Sequence, residues 1–191
     1  MTLSMYGASV PVFISMLENS SAILGKAEAF AVEKGLDPAG LLRLRLAPDM
    51  LPLVLQVHII TDGARGSAAR LAGRPLPSAE ALDFAVFNRG DEGQFSAAEE
   101  SFAALGARLQ RSLDYLRALR PDEIDGSEER PVVLAMGGRT RSFEGLPFLL
   151  HYALPNFYFH VAMIYAILRH AGVALGKRDY EGAPVYVSGA R

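Results

Sequence analysis

From Gly145 to Leu168 the chain has no Asp, Glu, Lys or Arg, yet this apolar stretch holds His151, Asn156 and His160, together with Pro147 and Pro155. Its length would nominally span a bilayer core of ~30 Å. Polar groups in hydrocarbon need internal partners, and this would be a solitary span. The stretch therefore reads as a core helix buried by other helices, not as a membrane segment. Leaving a buried imidazole or amide unpaired costs roughly 1–3 kcal/mol, so the partners of these side chains are the first question the sequence poses.

Three further stretches repeat with helical period. The first runs from about Ser9 to Lys34, with Ser9 as the expected cap, Pro11 in the first turn and Gly35 at the end. Val10, Phe13, Leu17, Leu24 and Ala31 share one side of it, while Glu18, Lys26, Glu28 and Glu33 lie toward others. The second runs from near Pro48 to about Leu71 and is apolar almost all round, as expected of a central helix or one that meets another subunit. After a loop rich in Gly and Pro, Ser96 and Glu99 stand at capping-box spacing. Phe95, Ala98, Phe102, Leu105, Leu109, Leu113, Leu116 and Leu119 then form the seam of a third helix that ends by Pro121.

Between Arg130 and Glu144 the period changes to two short strand-like runs about Gly137-Gly138, which predicts a tight hairpin. Pro147 opens the fourth helix, Pro155 is expected to kink it, and Gly172 to end it. The tail after Gly176 is polar and Gly-rich, with partial order expected. The fold class is all-α: a four-helix bundle in a single domain over residues 1–191, with a small β-hairpin between the third and fourth helices.

Half of the 191 residues are hydrophobic, which leaves apolar surface for a homodimer to cover. A formal net charge of -2, with arginines scattered among acids, gives no footprint for nucleic acid. There is no cysteine, so disulfides, thiolate nucleophiles and zinc-cysteine or iron–sulfur sites are excluded. A metal would have to use histidine, carboxylate or amide ligands. The start, MTLSMYGASVPVF, has neither the basic opening nor the unbroken apolar core of a secretory signal, and the expected localisation is cytoplasmic. Phosphate-binding Gly loops, GxSxG elbows and HExxH helices are absent from the sequence.

Two polar pairs at four-residue spacing carry the candidate chemistry. His58 and Asp62 share a face of the second helix, where the carboxylate can fix the imidazole tautomer or join it on a metal. Asp62 can equally pair with Arg65 and leave His58 as a core histidine. Asn156 and His160 share a face of the fourth helix. They can project into a site between helices, or Asn156 can satisfy the carbonyls that Pro155 frees. His151 lies half a turn away from His160 on a straight helix and joins it only through a strong bend. Tyr152 and Tyr165 would make such a pocket aromatic, although aromatics at helical spacing also serve as core.

The segments MTLSMYGASVPVF, LRLAPDMLPLVLQV with the following TDGARG, GGRTRSFEG, and above all LLHYALPNFYFHVAMIYAILRHAGVALGK resemble the DinB/YfiT-like four-helix bundle superfamily, and within it a bacterial branch defined by a domain of unknown function. The likeness runs nearly end to end. It implies a metal triad of one histidine from the second helix and two at i, i+4 on the last. Carried over residue by residue, the triad becomes His58, Asn156 and His160, with Arg169 at the corresponding arginine position. Asparagine thus stands where the family has histidine, and its amide oxygen is the poorer ligand for zinc or nickel. The resemblance also implies dimers.

Two functions follow as expectations. One is a bundle protein with a polar pocket between the second and fourth helices that takes a small-molecule ligand, lined by Asp62, His151, Tyr152 and Tyr165. The alternative is a metal-dependent enzyme, of thiol transferase or hydrolase type, holding zinc, nickel or manganese on His58, Asn156 and His160.

Overall fold

The computed structural model describes residues 3–76, 101–136 and 139–183. Four long helices form the bundle: α1 (Val10–Lys34), α3 (Leu53–Leu71), α4 (Phe102–Arg117) and α7 (Leu154–His170). Each packs against two neighbours, in the cyclic order α1, α4, α3, α7. Short helices α2 (Pro38–Leu42), α5 (Pro121–Ile124), α6 (Gly145–Phe148) and α8 (Lys177–Glu181) fill the corners.

The apolar stretches read from the sequence close the core. Phe13 and Leu17 of α1, Ile60 of α3, Leu105 and Leu109 of α4, and Val161 and Ile164 of α7 are all buried. Each such side chain contributes roughly 1.5–3 kcal/mol. Phe13 meets Phe157 edge to face, with centroids 5.0 Å apart and the rings at 80°. Gly35 ends α1 at φ 62, and its N–H reaches back into the last turn, as anticipated for a left-handed cap. The start of α1 differs from expectation: the Ser9 hydroxyl donates back to the Met5 carbonyl at 2.6 Å and does not cap the helix.

Other boundaries also move. The second long helix begins at Leu53 and not near Pro48, because Pro52 disfavours helical backbone at Leu51 and itself takes the N-cap position. The described part of the third begins at Phe102, where Ser101 Oγ accepts from the Ala104 N–H at 3.1 Å. The Ser96–Glu99 box lies outside the described residues, as do Gly137-Gly138 and the chain beyond 183.

Strands β1 (Pro131–Met136) and β2 (Arg139–Glu144) pair antiparallel, with Met136 opposite Arg139. Val132 and Leu134 face the core while Val133, between them, is exposed. The kink expected at Pro155 takes the form of a π turn just before it, Leu149–Ala153, in which the Leu154 N–H bonds the Leu149 carbonyl five residues back. No described helix is long and apolar enough to cross a membrane.

Candidate functional site

The seam between α3 and α7 holds a linked set of polar groups. His160 Nδ1 lies 2.7 Å from Gln56 Oε1. Gln56 Nε2 donates to the Leu51 carbonyl at 3.0 Å, which fixes the amide with its oxygen toward the imidazole. The ring must therefore donate from Nδ1, and Nε2 carries the lone pair. Among the described residues no side chain or backbone group bonds Nε2. Burial lowers the His160 pKa to about 4, so the ring is neutral near pH 7. Phe159 packs edge-on to it at 5.2 Å.

One turn earlier, Asn156 Nδ2 donates to the Tyr152 carbonyl at 2.8 Å, at the point where Pro155 interrupts the backbone ladder. Tyr152, on the π turn, stacks on Phe148 at 5.9 Å and leans on Phe143 of β2 at 5.4 Å. Burial raises its phenol pKa, against the pull of Arg141 and Arg70. Tyr165 is partly buried and meets Tyr180 of α8 edge-on at 6.3 Å. His151 and Arg169 are exposed.

On α3, His58 is buried two residues beyond Gln56, a rotation of ~200° about the helix axis. The residues on its own side turn to α4. Arg108 Nε donates to Thr61 Oγ1 at 2.9 Å, and its terminal nitrogen lies 2.9 Å from Asp62 Oδ1, with Arg65 at 3.7 Å from the same oxygen. Thus Gln56 and His160 come together across one face of α3, while Thr61 and Asp62 turn to Arg108, and Asp62 also to Arg65, with His58 buried one turn before Asp62. No group of three or more His, Cys, Asp or Glu positioned to hold a metal ion occurs among the described residues.

Gln56 and Arg108 were not singled out from the sequence. Gln56 had a legible signal as a lone amide in the run Leu53–Ile60, and Arg108 falls three residues after Leu105 on the buried seam of α4. Asp62 finds Arg65 as one of its partners, as the sequence allows, but its shorter contact comes from another helix.

A ring of four long helices with an inserted hairpin, and an imidazole facing the second long helix from the last, is the architecture of the DinB class of helical bundles. The chain belongs to the DinB family: a solved DinB family member protein from Shewanella denitrificans is 33% identical, with a TM-score of 0.77, covering 96% of this chain and 95% of that one. Residues 5–181 match the family model described as a domain of unknown function, DUF1993. A search of curated proteins gives no match.

Proposed function

We propose that this DinB-family protein binds a small ligand in the polar seam between α3 and α7, with the neutral imidazole of His160 as its acceptor or base. The observation that carries this reading is the Leu51–Gln56–His160 relay, which holds the ring in one tautomer and leaves Nε2 as a lone pair. A low pKa keeps that lone pair open throughout the neutral range. Asn156 and Tyr152 extend the seam along α7, and the ligand is expected to be small and capable of donating a hydrogen bond.

The family's metal triad fits these residues poorly. His58 lies on the far side of α3 from Gln56, and Asn156 uses its amide nitrogen on the Tyr152 carbonyl. A divalent ion would find one imidazole nitrogen and one amide oxygen, fewer than the three protein ligands of a catalytic centre. One observation favours the alternative of a metal-dependent enzyme: a histidine that donates its other N–H to a fixed oxygen is the usual arrangement of a metal ligand.

Metal analysis of protein purified without chelator or histidine tag separates the two. The pocket reading expects no stoichiometric zinc, nickel or manganese, and weak zinc affinity that rises in Asn156→His, where two imidazoles would stand at i, i+4. Near-stoichiometric metal in the native protein, lost in His160→Ala, would overturn it. Homodimerisation is proposed on the apolar surplus, with Leu146, Leu150 and Phe159 exposed along the α6–α7 side, and is checked by sedimentation.

A further inference from the structure

The apolar outer side of α6 and α7 is bounded by opposite charges. Gly145 to His170 run as one unbroken helical rod through α6, the π turn and α7, ~39 Å long. The outward stripe of this rod follows Leu146, Leu150, Pro155, Tyr158, Phe159 and Ala162, and it carries no Asp, Glu, Lys or Arg. Leu150 is 43% exposed, Tyr158 38% and Phe159 53%, so the chain itself leaves the stripe open. A solvated helix face is ordinarily the charged one, whereas this rod is apolar toward solvent as well as toward the core.

Glu144, the N-cap of α6, closes the stripe at one end. Glu128 stands beside it, its carbonyl accepting from the Leu146 N–H at 2.8 Å. Arg169 and His170, in the last turn of α7, close the other end. All four are exposed, and neither Glu144 nor Arg169 has an ion-pair partner among the described residues. A face that is uncharged in the middle, acidic at one end and basic at the other is complementary to itself when turned end for end.

We propose that a second copy of the chain occupies this face, with the two α6–α7 rods antiparallel about a two-fold axis close to Tyr158. The axis lies midway between Glu144 and Arg169, so the acid of each copy meets the arginine of the other at both ends. A parallel pairing would set Glu144 against Glu144 and Arg169 against Arg169, with the two helix dipoles aligned as well. Ala162 and Ala166 lie on the same stripe and let the rods approach closely. This pairing rests on the homodimer proposed above and fixes its orientation. It also completes the seam between α3 and α7, because Phe159 is the ring edge-on to His160 and its open side is then covered by the other copy.

The chain has no cysteine, so single cysteines placed in the full-length protein report the pairing under mild oxidation. Tyr158→Cys or Phe159→Cys, next to the axis, should cross-link the dimer. Leu146→Cys should not, because its two copies stand ~30 Å apart and a disulfide needs Cα atoms within about 7 Å. In sedimentation, Glu144→Arg should weaken dimerisation about tenfold, and adding Arg169→Glu should restore it. Both residues are exposed, so these variants keep the fold. A dimer that cross-links through Leu146→Cys, through neither central position, or that Glu144→Arg leaves as tight as before would refute this pairing while keeping the homodimer. A chain that stays monomeric at every concentration would refute both.

Discussion

The Asp62 carboxylate and the Arg108 guanidinium meet at 2.9 Å with side-chain exposures of 0% and 2%, joining α3 to α4 inside the bundle. A pair this deep is weak evidence of net stability, since desolvating two charges offsets much of their attraction. Breaking it is another matter, because the remaining charge stays buried.

Asp62→Ala is therefore expected to destabilise the fold by about 3–5 kcal/mol, as read by urea unfolding. Double replacement of Asp62 and Arg108 by apolar residues of similar volume should recover much of that loss. A double variant as unstable as the sum of the singles would show that the pair does not act as a unit.

The long-range partner of Asp62 marks where the sequence stopped being informative. Periodicity found the stripes that bury Phe13 on α1 and Leu109 on α4, because helix faces are set by local spacing, while α3 and α7 were legible as apolar runs. It also found the hairpin, whose strands change period. It could place Asp62 beside Arg65 at i, i+3, but not opposite Arg108, since which faces meet is decided by bundle packing. The same limit hid Gln56. His160 and Asn156 were legible as polar residues in an apolar run, while the partner of each came from outside the pattern: an amide from another helix and a carbonyl in a π turn. Family likeness supplied His58 as a third ligand, and along α3 it stands two residues, or ~200° about the helix axis, from Gln56.

Gly145 is a test of how the hairpin is anchored. Residue 146 donates its N–H to the Glu128 carbonyl at 2.8 Å, and a Cβ built on Gly145 would collide with the Ser127 carbonyl oxygen. Backbone cannot swing aside as a side chain can. Gly145→Ala is expected to cost about 1–3 kcal/mol or more, measured by thermal unfolding. The equivalent change at Gly106, on the face of α4 where nothing lies within 4 Å, should be neutral or stabilising. Equal effects at the two positions would contradict the packing described.

Gln56→Leu removes the acceptor of the His160 Nδ1–H but keeps an apolar filler of similar size. The expected cost is about 1–3 kcal/mol for a buried donor left without a partner. The decisive measurement is the imidazole nitrogen shifts, which should report the Nδ1–H tautomer in the wild type and a mixture in the variant. An unaltered tautomer would mean that Gln56 only fills space.

The pH dependence follows from burial of the same ring. His160 has a folded pKa of about 4 against an ordinary 6.5, so between these values the unfolded chain binds the proton more readily than the native one. Stability is at its full value above about pH 6.5, declines as pH falls, and levels off in this contribution below about pH 4. The span corresponds to something on the order of 3 kcal/mol, reduced by the solvent that still reaches a partly buried ring. Asp122, Glu123 and Asp179 have pKa values lowered by their hydrogen-bonding partners, so their own contributions are also lost in acid and must be subtracted. Subtracting the unfolding free energies of His160→Gln from those of the wild type, measured from pH 4 to 8, isolates the ring. The difference should change between pH 6.5 and 4 and be flat above 7. A transition centred near 6.5 with the wild type gaining stability in acid would mean that the imidazole is charged in the fold, and with it the proposed acceptor at Nε2 would be lost.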